Sequence, residues 1–217
     1  MTGRRVPIKI PSGPDLTPRT MVRAVREATA DWKYDNVSIG YPGPVVRGRP
    51  VQEPWNLGKG WVRFDFKKAF GRPVRMINDA AMQALGSYAG GKMLFLGLGT
   101  GLGSALIMDG VLIPTELAHL PYKKGRSYEE YLGEAGMIRS GKHDWQRHLA
   151  EVCALFIAAF SVDYVVLGGG NSKRLGRLPP RTRRGDNANA FEGGFRLWRS
   201  KHKRAANQAL SYSSSGR

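Results

Sequence analysis

The chain has 217 residues, enough for one large domain or two lobes sharing a cleft, and 41% hydrophobic residues with 28 glycines describe a globular, turn-rich protein. No apolar run approaches the roughly 20 residues of a membrane span, MTGRRVPIKIP lacks the apolar core of a secretory signal, and a single cysteine, Cys153, excludes an internal disulfide framework, so a cytoplasmic setting is expected. The net charge of +17, from 34 Lys and Arg against 17 Asp and Glu, favours polyanionic partners, but without zinc-finger spacing, an RNA-reading aromatic signature or a helix-turn-helix it does not point to nucleic acid.

In chain order, Arg5 to Ile10 reads as a short strand, with Pro7 suggesting an edge. Thr17-Pro18 is a cap followed by proline at the first helical position, and Met21, Val22, Val25, Ala28 and Trp32 recur at helical spacing, predicting an amphipathic helix from Pro18 to about Asp31. Asn36 to Gly40 is a strand entering the rigid loop Tyr41-Pro42-Gly43-Pro44. Arg47 to Phe66 reads as irregular chain with a binding role, and Phe64, Phe66 and Phe70 are expected to pack near a lobe boundary. Pro73 to Ile77 is a buried strand delivering Asn78 and Asp79 to the start of a helix of Ala80, Ala81, Met82, Ala84 and Leu85, which Gly90-Gly91 stops. Met93 to Leu98 and Ser104 to Met108 are apolar runs of strand length. Between them Gly99-Thr100-Gly101-Leu102-Gly103 forms a turn whose glycines leave backbone N–H groups free to approach an anion.

Asp109-Gly110 is a two-residue hairpin turn into Val111 to Pro114, and Glu116-Leu117-Ala118-His119 follows on a loop. Ser127 and Glu130 have capping-box spacing before Tyr128, Tyr131 and Leu132. Trp145, Leu149, Val152, Phe156 and Phe160 mark a long helix from about Asp144. Tyr164 to Leu167 is a strand ending in Gly168-Gly169-Gly170, with Asn171 or Ser172 available to cap the next helix. A last helix is expected from Asp186 to about Trp198, interrupted or frayed at Gly193-Gly194, and a basic, serine-rich tail beyond about Ala206 should be disordered. The resulting division is a first lobe over 1–79, a second over 80–185, a C-terminal helix over 186–205 and a tail over 206–217. On residue chemistry alone, Asp79 reads as a helix cap, Asn56 as an Asx turn and His119 as structural.

The order of carboxylate, helix, strand, Gly-Thr-Gly turn and strand in INDAAMQALGSYAGG and LFLGLGTGLGSALI, with NLGKGW and ELAH, resembles the ROK family of sugar kinases. Within that family the polyphosphate glucokinase branch is the nearer resemblance. It implies an α/β fold of the actin/hexokinase-like superfamily: two ribonuclease-H-like lobes around a sugar cleft. It also implies phosphoryl transfer from polyphosphate or ATP to the glucose 6-hydroxyl. The resemblance makes Asp79 the catalytic base and Asn56, Asn78, Glu116, His119 and Glu129 the sugar ligands. Gly99, Thr100, Gly101 and Gly103 would bind the transferred phosphate and Gly168, Gly169 and Gly170 the donor.

Mg²⁺ is implied with the donor, without an assignable protein ligand. The family's cysteine-rich zinc motif is replaced by Pro121 to Tyr128, so zinc is not expected. ELAH carries Ala118 where the family has glycine. A homodimer is compatible with the resemblance. The family's first phosphate motif, an Asp-Gly-Gly-Thr hairpin, has no counterpart, so the first lobe is expected to lack its first two strands. The chain as written is then expected to bind glucose and turn it over poorly. Three alternatives stand beside this reading: a hexose kinase using ATP alone, a catalytically silent sugar-binding or regulatory homologue, and a basic polyanion-binding protein whose glycine loops are merely turns.

Overall fold

Thr17 begins the first regular element of the computed structural model, which describes residues 6–199. Its hydroxyl accepts from Thr20 N–H while the Thr20 hydroxyl accepts from Thr17 N–H, a reciprocal capping box with Pro18 in the first turn of α1 (Pro18–Ala28). The helix ends before the expected Asp31: Thr29 leaves helical geometry at φ −118° and ψ 23°, its N–H and hydroxyl still closing on Val25 O. Contacts divide the chain into two units, Met1–Asn78 and Asp79–Arg217.

In the first unit β1 (Val37–Tyr41) is followed by a small hairpin of β2 (Val45–Val46) and β3 (Arg49–Pro50), then α2 (Phe66–Phe70) and β4 (Val74–Asn78). β1 and β4 pair in parallel, from Val37 opposite Val74 to Tyr41 opposite Asn78. Val22 of α1, Tyr41, Trp61, Phe66, Phe70 and Met76 form the core, with Phe64 packed against it. Only Met76 of β4 is buried, so this strand is less enclosed than its apolar sequence suggests. The expected strand from Arg5 to Ile10 is not formed over its described residues 6–10. Val6 and Ile8 are exposed there, and prolines at 7 and 11 remove the donors that a ladder would need. The segment 47–66 is more organised than expected: besides the β2–β3 hairpin, the Glu53 carboxylate accepts from Gly60, Trp61 and Val62 N–H at 3.0, 3.0 and 3.3 Å.

The second unit opens on α3 (Asp79–Ser87), then the antiparallel strands β5 (Lys92–Leu98), β6 (Leu102–Met108) and β7 (Val111–Thr115). Asp109 and Gly110 both take positive φ, 50° and 87°, as a tight turn between β6 and β7 requires. A short hairpin of β8 (Pro121–Lys123) and β9 (Arg126–Ser127) leads into α4 (Tyr128–Leu132), whose Ser127–Glu130 capping box is formed as expected. Beyond lie α5 (Glu134–Phe160), β10 (Tyr164–Gly168), a 3₁₀ turn (Gly170–Arg174), β11 (Thr182–Arg184) and α6 (Asn189–Arg196). The sheet order is β11-β10-β5-β6-β7, with β10 parallel to both β5 and β11. Trp145, Leu149, Val152, Cys153 and Phe156 of α5 pack with Leu94, Leu96, Val165 and Leu167 of the sheet. Burial pushes the Cys153 thiol up to about 12.

Three expectations are corrected here. α5 starts at Glu134, ahead of Asp144, and is broken at Gly141 (φ 77°, ψ 160°); the apolar period marks only the part beyond the break. The chain after Gly169 is a 3₁₀ turn with no side-chain cap, Ser172 Oγ donating instead to Gly169 O. α6 starts at Asn189 and runs unbroken through Gly193-Gly194. A Cβ on Gly193 would lie 1.9 Å from Met82 O and one on Gly86 1.8 Å from Asn189 O, so these glycines let α3 and α6 cross backbone to backbone. The expected tail beyond Ala206, and the C-terminal helix beyond 199, lie outside the described residues. Among the described residues no helix is long and apolar enough to cross a membrane.

Candidate active site

α3 presents Asp79 in its first turn, where Oδ1 accepts from Ala80 N–H at 2.7 Å. The residue keeps an exposed surface, yet protein packed around the carboxyl raises its pKa above the ordinary 3.8, desolvation outweighing the backbone hydrogen bonds that lower it. The helix start is seated close against β6: a Cβ on Gly103 would lie 2.7 Å from Ala80 Cβ. Gly103, expected to bind phosphate, therefore has a packing role that places Asp79.

Glu116 and His119 sit on the exposed loop after β7, which the interior of the unit holds from behind. Ser104 Oγ accepts from Leu117 N–H and from the Thr115 hydroxyl, at 3.2 and 2.9 Å, and donates to Thr115 O. Glu129 N–H donates to Ala118 O at 3.0 Å, joining the loop to the first turn of α4. Ala118 is buried, so its methyl fits where the related motif has glycine. Desolvation raises the Glu116 pKa; His119 lowers it, and the charges of Asp79 and Glu129 raise it again. The charges of Asp79, His119 and Glu129 are thus near enough to act on Glu116 in this unit. Glu130 points elsewhere, with Ser127 N–H holding its carboxylate below the usual range.

Glu129 also reaches the glycine turn. Its Oε2 accepts from Leu102 N–H at 3.0 Å and would meet a Cβ on Gly101 at 2.4 Å, so any larger residue there would displace the carboxylate. Of the turn's amides, Gly99 N–H donates to Gly101 O and Leu102 N–H to Glu129. The N–H groups of Thr100 and Gly101 have no intramolecular partner among the described residues. Fewer amides face outward than a wholly free glycine turn would offer. The turn's carbonyls are engaged, Glu134 N–H donating to Gly99 O and Thr100 O at 3.0 and 3.3 Å.

The second glycine run lies beside the first. Asn171 Nδ2 donates to Gly99 O at 3.1 Å. Gly169 takes φ 79° with its Cα against the Leu98 backbone, and Gly168 is pressed on the Phe95 ring, whereas Gly170 and Gly99 face open space. Sequence reasoning missed two residues here. Asn171 links the two loops, and Gln83 of α3 buries an unpartnered Oε1 beside Gly168. A glutamine on the apolar side of a helix was the available signal for the second.

Two predicted residues belong to the first unit. Asn78 Nδ2 donates to Gly43 O at 3.1 Å, fixing the Tyr41–Pro44 loop. The Tyr41 hydroxyl donates to Gln52 O at 2.6 Å, and burial pushes its pKa up to about 12. Asn56 is exposed on the loop that Glu53 gathers, with Gly58 N–H anchored on Leu16 O at 3.0 Å.

No family model matches the chain. It is 29% identical over 192 residues to a polyphosphate glucokinase of Mycobacterium tuberculosis, spanning 80% of this chain and 71% of that one. The inorganic polyphosphate/ATP-glucomannokinase of Arthrobacter sp. strain KM superposes with a TM-score of 0.67 at 27% identity, over 85% of this chain and 84% of that one. The chain is a homologue of the ROK-family sugar kinases. A ROK family glucokinase from Streptomyces griseus shares the fold at a TM-score of 0.66 and 19% identity, covering 88% and 90% of the two chains.

The fold is thus the α/β actin/hexokinase-like ROK fold with a mixed-sheet core. In this ROK homologue Pro121 to Tyr128 forms a hairpin pinned to α5: the Tyr122 hydroxyl donates to Glu151 at 2.8 Å, Lys123 pairs with the same carboxylate, and the Tyr122 ring packs on Tyr131 and His148. Among the described residues no group of three or more His, Cys, Asp or Glu is placed to hold a metal ion.

Proposed function

We propose that the chain transfers a phosphoryl group from inorganic polyphosphate or ATP to the 6-hydroxyl of glucose. One observation carries this reading. The Glu129 carboxylate accepts from Leu102 N–H of the glycine turn at 3.0 Å and its charge acts on Glu116, which supports reading acceptor groups and phosphate donors as parts of one site. Glu116, Glu129 and His119 suit sugar hydroxyls, as carboxylates accept two hydrogen bonds and an imidazole donates or accepts one. Asn56 and Asn78 are proposed as the sugar contacts of the first unit. Asp79 accepts the 6-hydroxyl proton as that oxygen bonds to phosphorus and the bond to the departing phosphate breaks.

The Thr100 and Gly101 amides, with Thr100's hydroxyl, donate to the transferred group, and Gly168 to Gly170 border the donor. Mg²⁺ enters with the donor's own phosphates, as it commonly does. A cytoplasmic location fits the single buried thiol, and self-association into a homodimer is a part of the proposal that sedimentation can check. The test is glucose 6-phosphate formation followed by ³¹P NMR with each donor, together with glucose titration by calorimetry. Asp79→Asn should lower kcat about 10²- to 10⁴-fold with glucose affinity kept. Absence of glucose binding by the folded protein would defeat the reading. Binding without turnover by either donor would favour the silent homologue instead.

A further inference from the structure

A groove in the second unit leads away from the phosphate turn. One wall is the first part of α5, tied to the turn by Glu134 N–H on Gly99 O at 3.0 Å. The other is the 3₁₀ turn Gly170–Arg174, tied to the same carbonyl by Asn171 at 3.1 Å. The walls meet again where Gln146 Nε2 donates to Arg174 O at 3.5 Å. Between them lies a shallow, open depression of about 480 Å³ lined by Met137, Ile138, Lys142 and Arg174. Lys142 and Arg174 are exposed, no carboxylate lines the groove, and neither cation is in an ion pair among the described residues. The break at Gly141 sets Lys142 just past the end of the first helical part.

We infer that this groove holds the non-reacting stretch of an inorganic polyphosphate chain whose terminal phosphate lies at the Thr100 and Gly101 amides. The inference rests on the polyphosphate half of the proposed function. A repeating polyanion leaving the turn between these walls meets two cations without ion-pair partners among the described residues, and attraction to them offsets the hydration that the phosphates give up. No aromatic side chain lines the groove, so a nucleobase finds no stacking surface in it. Lys173 and Arg177, exposed beside Arg174 in sequence, extend the positive rim beyond the groove.

The test titrates the full chain by calorimetry with long-chain polyphosphate, tripolyphosphate, ATP and glucose at low and moderate salt, using Lys142→Gln/Arg174→Gln and the single Lys142→Gln. Both side chains are exposed, so the variants should fold, as circular dichroism will verify. The double variant should lose about tenfold in long-chain affinity and show a flatter salt dependence. The single variant should lose part of this, with tripolyphosphate, ATP and glucose binding unchanged. Unchanged long-chain binding by the folded double variant overturns the groove assignment. An equal loss for ATP or tripolyphosphate overturns it too, by placing the cations at the reacting phosphates. If the unmodified chain phosphorylates glucose with ATP and binds no polyphosphate, the donor reading itself fails. If polyphosphate drives both proteins equally, only the groove fails.

Discussion

Desolvation lifts the Asp79 carboxyl above its ordinary value of 3.8 even as Ala80 N–H pulls it down, and this has consequences for both activity and stability. As a base it works only ionised, so kcat should fall as pH drops through its folded pKa, with the acid limb above that of an unperturbed carboxylate. For stability the sign is opposite. A raised pKa means the folded state holds the proton more tightly than the unfolded one. The contribution is therefore full below about 3.8 and lost as pH rises through the folded value. Asp79→Asn should consequently unfold at no lower temperature than the unmodified protein at neutral pH while losing most turnover. A simple cap would leave the rate alone, and because asparagine caps a helix as well as aspartate does, its contribution is read from Asp79→Ala instead, at about 1 kcal/mol. Gly101→Ala tests the neighbouring contact: its Cβ would fall 2.4 Å from Glu129 Oε2. The displaced carboxylate should weaken glucose binding and lower kcat together, which steady-state kinetics would register as a raised KM with a reduced kcat.

At the scale of elements, the crossing of α3 and α6 is the joint on which Asp79's helix rests. Gly193→Ala would drive a methyl to 1.9 Å from Met82 O, and overpacking of this kind costs about 1–3 kcal/mol. Denaturant unfolding should show that loss, and kcat should fall as well because α3 must shift. Nothing local announces this. A glycine pair inside a helix-length segment reads as a weak point, since only the partner helix shows what the missing side chains admit. Features whose partners lie three residues apart were legible: the Thr17 start of α1 and the Ser127–Glu130 box are both present. The hairpin of β5 and β6 was legible for a similar reason, its two apolar runs flanking a turn of glycines. Glu53 was not, because the amides it collects lie seven to nine residues away on a loop with no periodicity. The same limit hid the first part of α5, where Gly136 and Met137 are buried but the break at Gly141 interrupts the pattern.

For the molecule as a whole, the candidate site of the second unit was readable because its chemistry is concentrated in short motifs, while the linkage between them was not. Glu129 reaching Leu102, and Asn171 reaching Gly99, join positions 27 and 72 residues apart that no spacing rule connects. The +17 charge sets a further expectation: if long-chain polyphosphate is the donor, its KM should rise more steeply with salt than that of ATP, which presents fewer charges. A salt series with both donors checks it.

The buried thiol of Cys153 gives the molecule an internal clock. With the pKa of this lone thiol pushed to about 12, a thiol reagent meets almost no thiolate and no access until the core around α5 opens. Labelling rate then measures the opening of the second unit alone, whereas tryptophan emission samples Trp61 in the first unit and Trp145 in the second. If the two units open as separate cooperative bodies, a denaturant series will show the emission change in two steps and the thiol captured in only one of them.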